Sequence, residues 1–365
     1  MASIKKRPNG KYRARYRDEA KKEHSRHFDR KADAQRWLDE VTATIVTGIY
    51  ADPRAGRITF KTYFDQWSER QVWVGGTDRA MQLAVSSTTF TDHPMKSIQR
   101  SHIEGWIKRM TRNGLAPGTV KTRYNNVRSV FRAATRDRVI GVDPTVGVTL
   151  PRQRRSEHAL QIPTAEQVGK LIGAADEEFA PFIALCAFAG LRLGEAAGTK
   201  SGDIEFLGRV LHVRRQIQRE NGGKIEIRLP KYGSERDIAI PDELTALISA
   251  HIKQFGTHGD DWLFVGAGED PPHQNTVGYR WRKAVKKSGV TGFTLHDLRH
   301  FYASGLIAEN CDVVTVQRAL GHASAKTTLE TYAHLWPNAN DRTRNAARSL
   351  MRSALSTADT RLQAQ

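Results

Sequence analysis

The sequence predicts a multidomain protein that is mainly α-helical and carries small β-sheets. Its 365 residues are many for a single domain, so two or three domains are expected. The spacing of apolar residues changes from strand-like to helical, back to strand-like, and to helical again. Irregular stretches at residues 51–57 and 146–163, with Pro and Gly, interrupt these patterns. We therefore expect domains over residues 1–55, 57–150 and 160–365.

Residues 1–55 predict a small α+β module. A basic turn with the hairpin dipeptide Asn-Gly comes first. Residues 12–17 then alternate between apolar side chains and arginines, which is the period of a strand. Residues 24–28 predict another strand, and residues 29–46 predict an amphipathic helix that would cover the apolar face of the sheet.

Residues 58–145 have helical spacing throughout and predict a compact domain of four or five helices. One helix follows the apolar residues of segment 58–67. Ser101, with Glu104 three residues later, predicts the N-cap of another helix. Pro117 opens a further helix, because proline is favoured in the first helical turn.

Residues 160–365 predict a mixed α/β domain. Residues 179–190 are apolar enough for a buried helix. Alternation over residues 209–241 predicts a small antiparallel sheet whose final hairpin carries Lys231 at its tip. The remainder has helical spacing and ends in an amphipathic tail over residues 341–355.

The charge balance favours a polyanionic partner. Lysine and arginine number 57 against 39 acidic residues, which gives a net charge of +18. Such an excess, interleaved with aromatic residues, fits nucleic acid, although a basic solvated surface is the alternative. No apolar run approaches the ~20 residues that span a bilayer, and the first ten residues lack a signal-peptide segment. A membrane partner is therefore not expected.

Three basic segments are candidate DNA contacts. Nine of the first 22 residues are basic and two are acidic, so the arginine face of the N-terminal strand suits a DNA groove, although a charged edge strand is the alternative. The outer face of the helix that Pro117 opens is another candidate, and an ordinary solvated helix face explains it nearly as well. The linker before residue 163 is the third. The candidate residues are Lys5, Lys6, Arg7, Arg13, Arg15, Arg17, Thr119, Lys121, Arg123, Asn125, Arg154 and Arg155.

The cysteines and the missing nucleotide motifs limit the possible chemistry. Cys186 and Cys311 form no disulfide framework and cannot build a zinc site by themselves, so a reducing cytoplasm is expected. Neither a G-x-x-x-x-G-K-S/T phosphate loop nor a dinucleotide-binding G-x-G-x-x-G is present, so ATP and NAD are not indicated.

The C-terminal third carries a cluster of side chains that suit phosphate. Residues 296–300 read His-Asp-Leu-Arg-His, His322 follows in Leu-Gly-His, and Tyr332 stands among polar residues. Arg192 ends an apolar segment, where a buried guanidinium needs an anion nearby. Imidazoles, guanidiniums and a phenol together suggest phosphate chemistry with an oxygen nucleophile.

Together with Lys231, five residues of this cluster resemble, in order, the motifs of the tyrosine recombinase (phage integrase) family. The resemblance covers residues 164–336; the helical segment before it resembles the family's core-binding domain, and residues 1–55 resemble its arm-type DNA-binding domain. The matching positions are Arg192 in A-G-L-R-L-G-E, Lys231 in P-K-Y-G-S-E-R, His296 and Arg299 in L-H-D-L-R-H, His322 in L-G-H and Tyr332 in T-L-E-T-Y-A-H.

The resemblance implies a site-specific recombinase that cleaves DNA through a 3′-phosphotyrosyl link and leaves a free 5′ hydroxyl. Arg192 and Arg299 would hold the nonbridging phosphate oxygens, where negative charge grows. Tyr332 would be the nucleophile, with its pKa lowered by the guanidiniums and its proton taken by His296. Glu195 would orient its neighbours, as would Asp297.

The remaining roles also follow from the resemblance. Lys231 would protonate the departing 5′ oxygen, and His322 would donate a hydrogen bond to a nonbridging oxygen. Because the covalent link conserves the phosphodiester energy, neither a metal nor another cofactor is expected. The expected partners are double-stranded DNA at core-type and arm-type attachment sites, three further copies in a tetramer that exchanges strands through a Holliday junction, a host DNA-bending protein and an excisionase. The expected compartment is the host bacterial cytoplasm or nucleoid.

Simpler explanations exist for single residues and for the whole chain. His296 and His300 have the i, i+4 spacing of a zinc helix, but Asp297 stands where that motif has glutamate. A type IB topoisomerase uses a closely similar site, and a DNA-binding regulator could keep the fold without catalysis. Taken singly, Tyr332 is typical of a half-buried core tyrosine, His322 of a helix cap and Lys231 of a turn.

Overall fold

The computed structural model describes residues 2–18, 21–47, 50–52, 54–151, 161–219, 224–266, 268–336, 343–344, 347–353 and 355. The chain divides into two compact units, Met1–Ser156 and Glu157–Gln365. The predicted fold class, mainly helical with small sheets, is confirmed. The candidate contacts Arg154 and Arg155, and much of the predicted tail over 341–355, lie outside the described residues. No described helix is long and apolar enough to cross a membrane.

The first unit begins with a three-stranded antiparallel sheet covered by one helix. Tyr12, Ala14 and Tyr16 face the helix, and the arginines between them face away, because successive strand residues point to opposite faces. Ala14, Tyr16, Ala34, Leu38 and Tyr50 form its small core. The elements are β1 (Ser3–Lys6), β2 (Tyr12–Arg17), β3 (Glu23–Phe28) and α1 (Lys31–Val46).

Four α-helices form most of the remainder of the first unit among the residues that the structure describes. Aromatic side chains fill their shared core, where Phe60 stacks on Phe131 and Trp106 is fully buried. Pro117 is the first residue of the longest helix, as predicted. The helices are α2 (Phe60–Ser68), α3 (Gly75–Ser86), α4 (Arg100–Arg112) and α5 (Pro117–Arg136).

The prediction that Ser101 is the N-cap of α4 is wrong by two residues. The helix begins at Arg100, and Gln99 is its N-cap. His102 Nδ1 accepts the Gln99 backbone N–H over 3.0 Å, which closes a reciprocal capping box. A histidine in the third helical position thus replaces the glutamate that the pattern Ser-x-x-Glu suggested.

The second unit packs helices around one large apolar core and one smaller core. The buried helix predicted over 179–190 is present, and the larger core surrounds it. The helices are α6 (Ala165–Ala174), α7 (Ala180–Phe188), α8 (Leu193–Ala197), α9 (Asp242–Phe255), α10 (Gln274–Ser288), α11 (Leu295–Ala308), α12 (Val313–Leu320) and α13 (Ala325–Tyr332). The strands are β4 (Ile204–Glu205), β5 (Val210–Val213), β6 (Gln216–Arg219), β7 (Ile225–Arg228) and β8 (Arg236–Ala239).

The single sheet predicted over residues 209–241 is wrong, and so is its final hairpin. The strands form a sheet in the order β4-β5-β8 and a separate hairpin of β6 and β7. β8 therefore pairs with β5 rather than with β7. Lys231 lies in a 3-10 turn, Lys231–Gly233, that connects the hairpin to the sheet. Alternation alone predicts strands, whereas pairing depends on which apolar faces reach the core.

Candidate active site

A buried carboxylate organises one half of the site. Glu195 lies in α8 with its side chain fully buried, and its two oxygens accept hydrogen bonds from two arginines. Arg192 Nη1 donates over 2.7 Å, and Arg236 Nη2 donates over 2.8 Å. Burial alone would raise the pKa of Glu195, but Arg236 and then Arg192 lower it to about 2. The expectation that Glu195 orients Arg192 agrees with these contacts.

Arg236 connects three segments of the site and was not predicted. Besides Glu195, its guanidinium donates from Nε to the Ala319 carbonyl over 2.9 Å and from Nη1 to the Ser234 carbonyl over 3.2 Å. Ser234 follows the Lys231 turn, and Ala319 lies in the last turn of α12. One buried side chain thus holds the Arg192 segment, the Lys231 segment and the approach to His322 together.

Arg299 is the second predicted phosphate ligand and is 2% exposed. It lies in α11, and its guanidinium donates to the Gly190 carbonyl over 2.5 Å and to the Leu320 carbonyl. Burial, followed by repulsion from Arg192, lowers the pKa of Arg299 to about 9, so it stays charged at neutral pH. Two carbonyl bonds leave three of its five N–H donors for other acceptors.

His322 and Tyr332 lie on the C-terminal side of the site. Gly321 ends α12 in the left-handed conformation, with φ 62°, and turns the chain towards α13. His322 Nδ1 lies 2.9 Å from Thr328 Oγ1, and its ring is nearly parallel to that of Tyr332 at 6.5 Å. Arg192 Nη2 also donates to the Gly321 carbonyl over 3.3 Å. The predicted Arg192, Arg299, His322 and Tyr332 are thus brought together.

The Tyr332 phenol contacts His300 rather than the predicted His296. His300 Nδ1 lies 2.6 Å from Tyr332 Oη. His296, one turn earlier in α11, packs edge-on against His300 with ring centres 4.8 Å apart and is exposed. Asp297 accepts the Thr294 N–H over 2.6 Å and caps the helix, instead of orienting an arginine.

The electrostatics of Tyr332 differ from the expectation. Tyr332 is 1% exposed, and burial raises its pKa to about 12, although Arg299 acts to lower it. Burial first, and then neighbouring charges, lower the pKa values of His300 and His322 to about 4. Desolvation by the neighbouring residues, followed by repulsion from Arg299, also lowers the pKa of His296. The histidines are therefore neutral at pH 7, while desolvation outweighs the guanidinium at the phenol.

Lys231 does not join the other five residues. Its side chain is exposed on the 3-10 turn, and its ammonium has no hydrogen-bond or ion-pair partner in the part of the chain that the structure describes. A cleft of about 460 Å³ lies between residues 233–237, which follow Lys231, and residues 317–323, which include His322. The turn thus borders the site, and the Lys231 side chain on this turn is exposed to solvent.

The N-terminal candidates divide between two faces of the sheet. Lys5 is opposite Arg13, and Ser3 is opposite Arg15, so Lys5, Arg13 and Arg15 share the face away from α1. Arg17 lies on that same face at the end of β2. The other two candidates are elsewhere: Lys6 packs over the Tyr12 ring at 5.9 Å on the opposite face, and Arg7 lies in the turn.

The α5 candidates mostly share an exposed face. Thr119, Lys121 and Asn125 are exposed, whereas Arg123 is partly buried. The Arg123 Nε atom is buried and has no hydrogen-bond partner among the described residues. Within those same residues, no group of three or more His, Cys, Asp or Glu side chains is placed to hold a metal ion.

Sequence reasoning missed His300 and Arg236, and one of them left a signal. Arg236, Ile238 and Ile240 are spaced two residues apart, and residues with this spacing point to the same face of a strand. The pattern therefore places the charged Arg236 on the buried face of its strand. A charge in that position needs a buried partner. His300 left no comparable signal, because its contact with Tyr332 depends on how α13 folds against α11.

Two family models match the sequence. The phage integrase family model matches residues 162–338 and therefore includes every one of the six candidate catalytic positions. A model for the N-terminal domain of phage integrases matches residues 2–47. The chain belongs to the phage integrase family. It is a tyrosine recombinase, as its resemblance implied.

Known relatives agree with this family. The integrase of prophage phiRv2 from Mycobacterium tuberculosis is 24% identical over 322 residues, 84% of this chain and 84% of the relative. A tyrosine recombinase from Thermosipho africanus is 28% identical over 262 residues, 68% of this chain and 84% of the relative. Transposase A of transposon Tn554 from Staphylococcus aureus is 34% identical over 152 residues, 40% of each chain.

Solved structures share the fold. The Tn1549 transposon integrase in complex with transposon right end DNA superposes with a TM-score of 0.68 at 20% identity, covering 80% of this chain and 100% of that one. A lambda integrase tetramer bound to a Holliday junction superposes with a TM-score of 0.58 at 19% identity, covering 88% of this chain and 96% of that one. At these identities the likeness concerns the fold alone.

Proposed function

We propose that this recombinase cleaves and rejoins DNA at specific sites through a 3′-phosphotyrosyl intermediate on Tyr332. The observation that carries the proposal is the convergence of this phenol with three guanidiniums in one buried site. Arg192, Arg236 and Arg299 surround a single carboxylate, Glu195. Three positive charges against one negative charge leave a site that attracts an anion, and a DNA phosphate supplies it.

Arg192 and Arg299 stabilise the transition state in this proposal. Negative charge grows on the nonbridging oxygens as Tyr332 attacks phosphorus, and rigid guanidinium forks held by Glu195 and by backbone carbonyls are already oriented for it. Removing one such preorganised donor costs about 3–4 kcal/mol in other enzymes. The neutral His322 ring, which is nearly parallel to Tyr332, donates to one of these oxygens from Nε2.

Lys231 is the general acid in this proposal. Its exposed ammonium lies outside the cluster, on a turn that borders the cleft beside His322. DNA bound in that cleft would bring the departing 5′ oxygen towards the turn. Protonation of that oxygen avoids the release of an alkoxide. His296 is exposed at the start of α11 and faces the same DNA.

Tyr332 must become accessible before it reacts. Its ring packs in the smaller core with Ala303, Ile307, Val316 and Leu320. A buried phenol that is 1% exposed cannot reach a DNA phosphate, so α13 has to shift when DNA binds. Such a coupling would keep the nucleophile unreactive away from its target.

The DNA partners follow from the basic faces and from the relatives. We assign arm-type sites to the Lys5, Arg13, Arg15 and Arg17 face and core-type sites to the exposed face of α5 and to the second unit. The Tn1549 and lambda integrases were solved on DNA, the latter as a tetramer on a Holliday junction. By analogy, four copies of this chain exchange strands to integrate and excise a phage or mobile-element genome in the bacterial cytoplasm, with a host DNA-bending protein and an excisionase as further partners.

A nicked suicide substrate tests the proposal. The DNA carries the attachment site taken from the sequence that flanks the gene, and the nick lets the short 5′ product diffuse away after cleavage. The wild type should form a covalent adduct, Tyr332→Phe should bind the same DNA without an adduct, and Tyr279→Phe should behave as the wild type because Tyr279 is 65% exposed on α10. No adduct from the wild type, or an adduct from Tyr332→Phe, contradicts the proposal.

A plasmid assay separates recombination from simple relaxation. Supercoiled plasmids with and without the attachment site are incubated with the wild-type protein. A recombinase recombines the first plasmid and leaves the second supercoiled. Efficient relaxation of the plasmid without the site would assign a topoisomerase activity instead.

A further inference from the structure

Arg236 is buried at the start of β8 and directs its N–H donors at protein oxygens. Nε donates to the Ala319 carbonyl over 2.9 Å, Nη1 to the Ser234 carbonyl over 3.2 Å, and Nη2 to Glu195 over 2.8 Å. Nη1 also lies 3.3 Å from the other Glu195 oxygen. Within the described part of the chain, these bonds use four of its five donors. The one donor left cannot form the two parallel bonds with which an arginine binds a phosphate.

Arg192 differs from Arg236 in both exposure and free donors. Its side chain is 24% exposed, and its guanidinium bonds within the described residues run to Glu195 and to the Gly321 carbonyl. Three donors are then available to a phosphate. Glu195 holds Arg192 twice, because one carboxylate oxygen accepts its backbone N–H over 3.0 Å and the other accepts Nη1 over 2.7 Å. The orientation of Arg192 thus depends on Glu195.

Glu195 by itself would cancel the charge of Arg192. One carboxylate and one guanidinium form a neutral pair, which attracts a phosphate weakly. Arg236 adds a second positive charge to the same carboxylate, at a place where its side chain is 6% exposed. Although burial acts to raise the pKa of Glu195, Arg236 and then Arg192 lower it to about 2, so the carboxylate stays charged. The three groups together therefore keep one net positive charge.

We propose that Arg236 is a positioning residue for DNA cleavage. It balances the charge of Glu195, so that Glu195 orients Arg192 towards the scissile phosphate without neutralising it. The inference rests on the proposed function, because Arg192 is the phosphate ligand there. Arg236 acts through Glu195 and does not touch the DNA.

This arrangement is independent of the position of the nucleophile. The bonds of Arg236 run to α8, to α12 and to the segment that leads into β8. Tyr332 lies on α13. The shift of α13 that exposes the phenol therefore does not require these bonds to change.

A purely structural role for Arg236 is the competing explanation. Gly321, which turns the chain towards His322, packs on the Arg236 side chain, since a Cβ on Gly321 would lie 2.9 Å from Arg236 Nη1. In that explanation Arg236 only joins β8 to the end of α12. Its loss would then slow the cleavage of every substrate equally, through folding or DNA affinity. Loss of a positioning residue instead slows the substrates that need Arg192.

Nicked attachment-site substrates that differ at the scissile phosphate separate the two roles. One substrate has the natural phosphate, and two have the diastereomers of a methylphosphonate, in which a neutral methyl group replaces one nonbridging oxygen. In one diastereomer the methyl group takes the place of the oxygen that Arg192 binds, so this substrate gains little from Arg192. Cleavage rate, DNA affinity and melting temperature are measured for the full-length wild type, Arg192→Ala and Arg236→Met.

We expect Arg236→Met to bind DNA normally and to cleave the natural phosphate about 100-fold more slowly or worse, which is the scale for losing one preorganised donor. On the diastereomer that Arg192→Ala still cleaves, Arg236→Met should stay within tenfold of the wild type. The two losses should not add in the variant that carries both changes, because one residue acts through the other. A rate within threefold of the wild type on the natural phosphate, an equal loss on all three substrates, or additive losses overturns the inference.

Arg280→Met is the matched control. Arg280 Nη2 donates to Glu178 over 2.7 Å, and the two side chains are 22% and 24% exposed. This pair joins α10 to the segment between α6 and α7, so its loss should leave the relative rates on the three substrates unchanged. A change in those relative rates would count against the inference, because they would then not report on Arg192.

A second variant covers the case in which Arg236→Met is unfolded at the assay temperature. Glu195→Leu with Arg236→Met removes both buried charges, so the second unit should fold. Nothing then orients Arg192, and we expect the same slow cleavage of the natural phosphate with recovery on the same diastereomer. Cleavage of the natural phosphate within threefold of the wild type, or equal loss on all three substrates, contradicts the inference. Failure of the proposed function looks different, since the wild type would then form no adduct on the natural phosphate.

Discussion

Glu195→Gln should destabilise the second unit by about 3 kcal/mol. The substitution keeps the shape of the side chain but removes the charge that two arginines contact, at 2.7 and 2.8 Å. The Glu195 side chain is fully buried, and that of Arg236 is 6% exposed, so solvent cannot replace the lost charge. Breaking a buried ion pair costs about 3–5 kcal/mol. The lowered pKa of Glu195, about 2 against 4.5, gives about the same figure.

Thermal unfolding measures this loss. For a unit of this size, about 3 kcal/mol corresponds to a melting temperature lower by roughly 6–12 °C. Glu330→Gln is the control, because the Lys326–Glu330 pair is exposed and 3.8 Å apart, and such pairs contribute ~0–1 kcal/mol. Equal shifts in the two variants would refute the reasoning. The double variant Glu195→Leu with Arg236→Met should recover part of the loss, since Arg236 is then not left as a buried charge without its carboxylate and only the more exposed Arg192 loses its partner.

Three further predictions concern the backbone, the histidines and the DNA. Gly190→Ala should cost about 2–5 kcal/mol in urea unfolding, because Gly190 has φ 62° and a Cβ there would collide with a neighbouring ring, whereas Gly305→Ala meets open space in α11 and should be neutral or stabilising. The folded-state pKa values of His300 and His322, about 4 against 6.5, give stability that is complete above pH 6.5 and is lost as pH falls towards 4, so calorimetry should show a lower melting temperature at pH 5 than at pH 7; equal values would contradict this. Arg15→Ala should reduce the salt slope of DNA binding by about one, measured by anisotropy between about 50 and 200 mM salt, and an unchanged slope would remove Arg15 from the interface.

Local patterns predicted the elements of the fold well. The alternation of residues 12–17 predicted β2 and its arginine face, and Pro117 marked the start of α5. Both features depend on residues close in sequence, so they are visible without tertiary structure. The order of the six site residues was visible for another reason: each lies in a short motif that matches a family.

The pairing of strands was not predictable from the same patterns. β7 and β8 have the alternation of a hairpin, but the chain between them forms a 3-10 turn, and β8 pairs with β5 instead. Ile238 is thereby placed opposite Leu211, and both are buried in the larger core. Burial of the apolar face that the two strands share decides such a choice, and a single sequence does not display it.

Contacts between segments that are distant in the sequence were not predictable from these local patterns either. The Arg299 bonds to the Gly190 and Leu320 carbonyls join three parts of the chain, and the bond between His300 and Tyr332 joins two. Protonation depends on such contacts, because it follows burial and neighbouring charge rather than residue type. The prediction that guanidiniums lower the pKa of Tyr332 is therefore correct for the effect of Arg299, but burial raises that pKa by more.

Peptide mapping of the trapped protein–DNA adduct tests the central claim most directly. After nuclease digestion, trypsin releases residues 327–342, in which Tyr332 is the sole tyrosine. Tandem mass spectrometry should find the residual nucleotide on this peptide, attached at Tyr332 through a 3′ phosphate. A nucleotide on another peptide, or on a threonine of this one, would contradict the account.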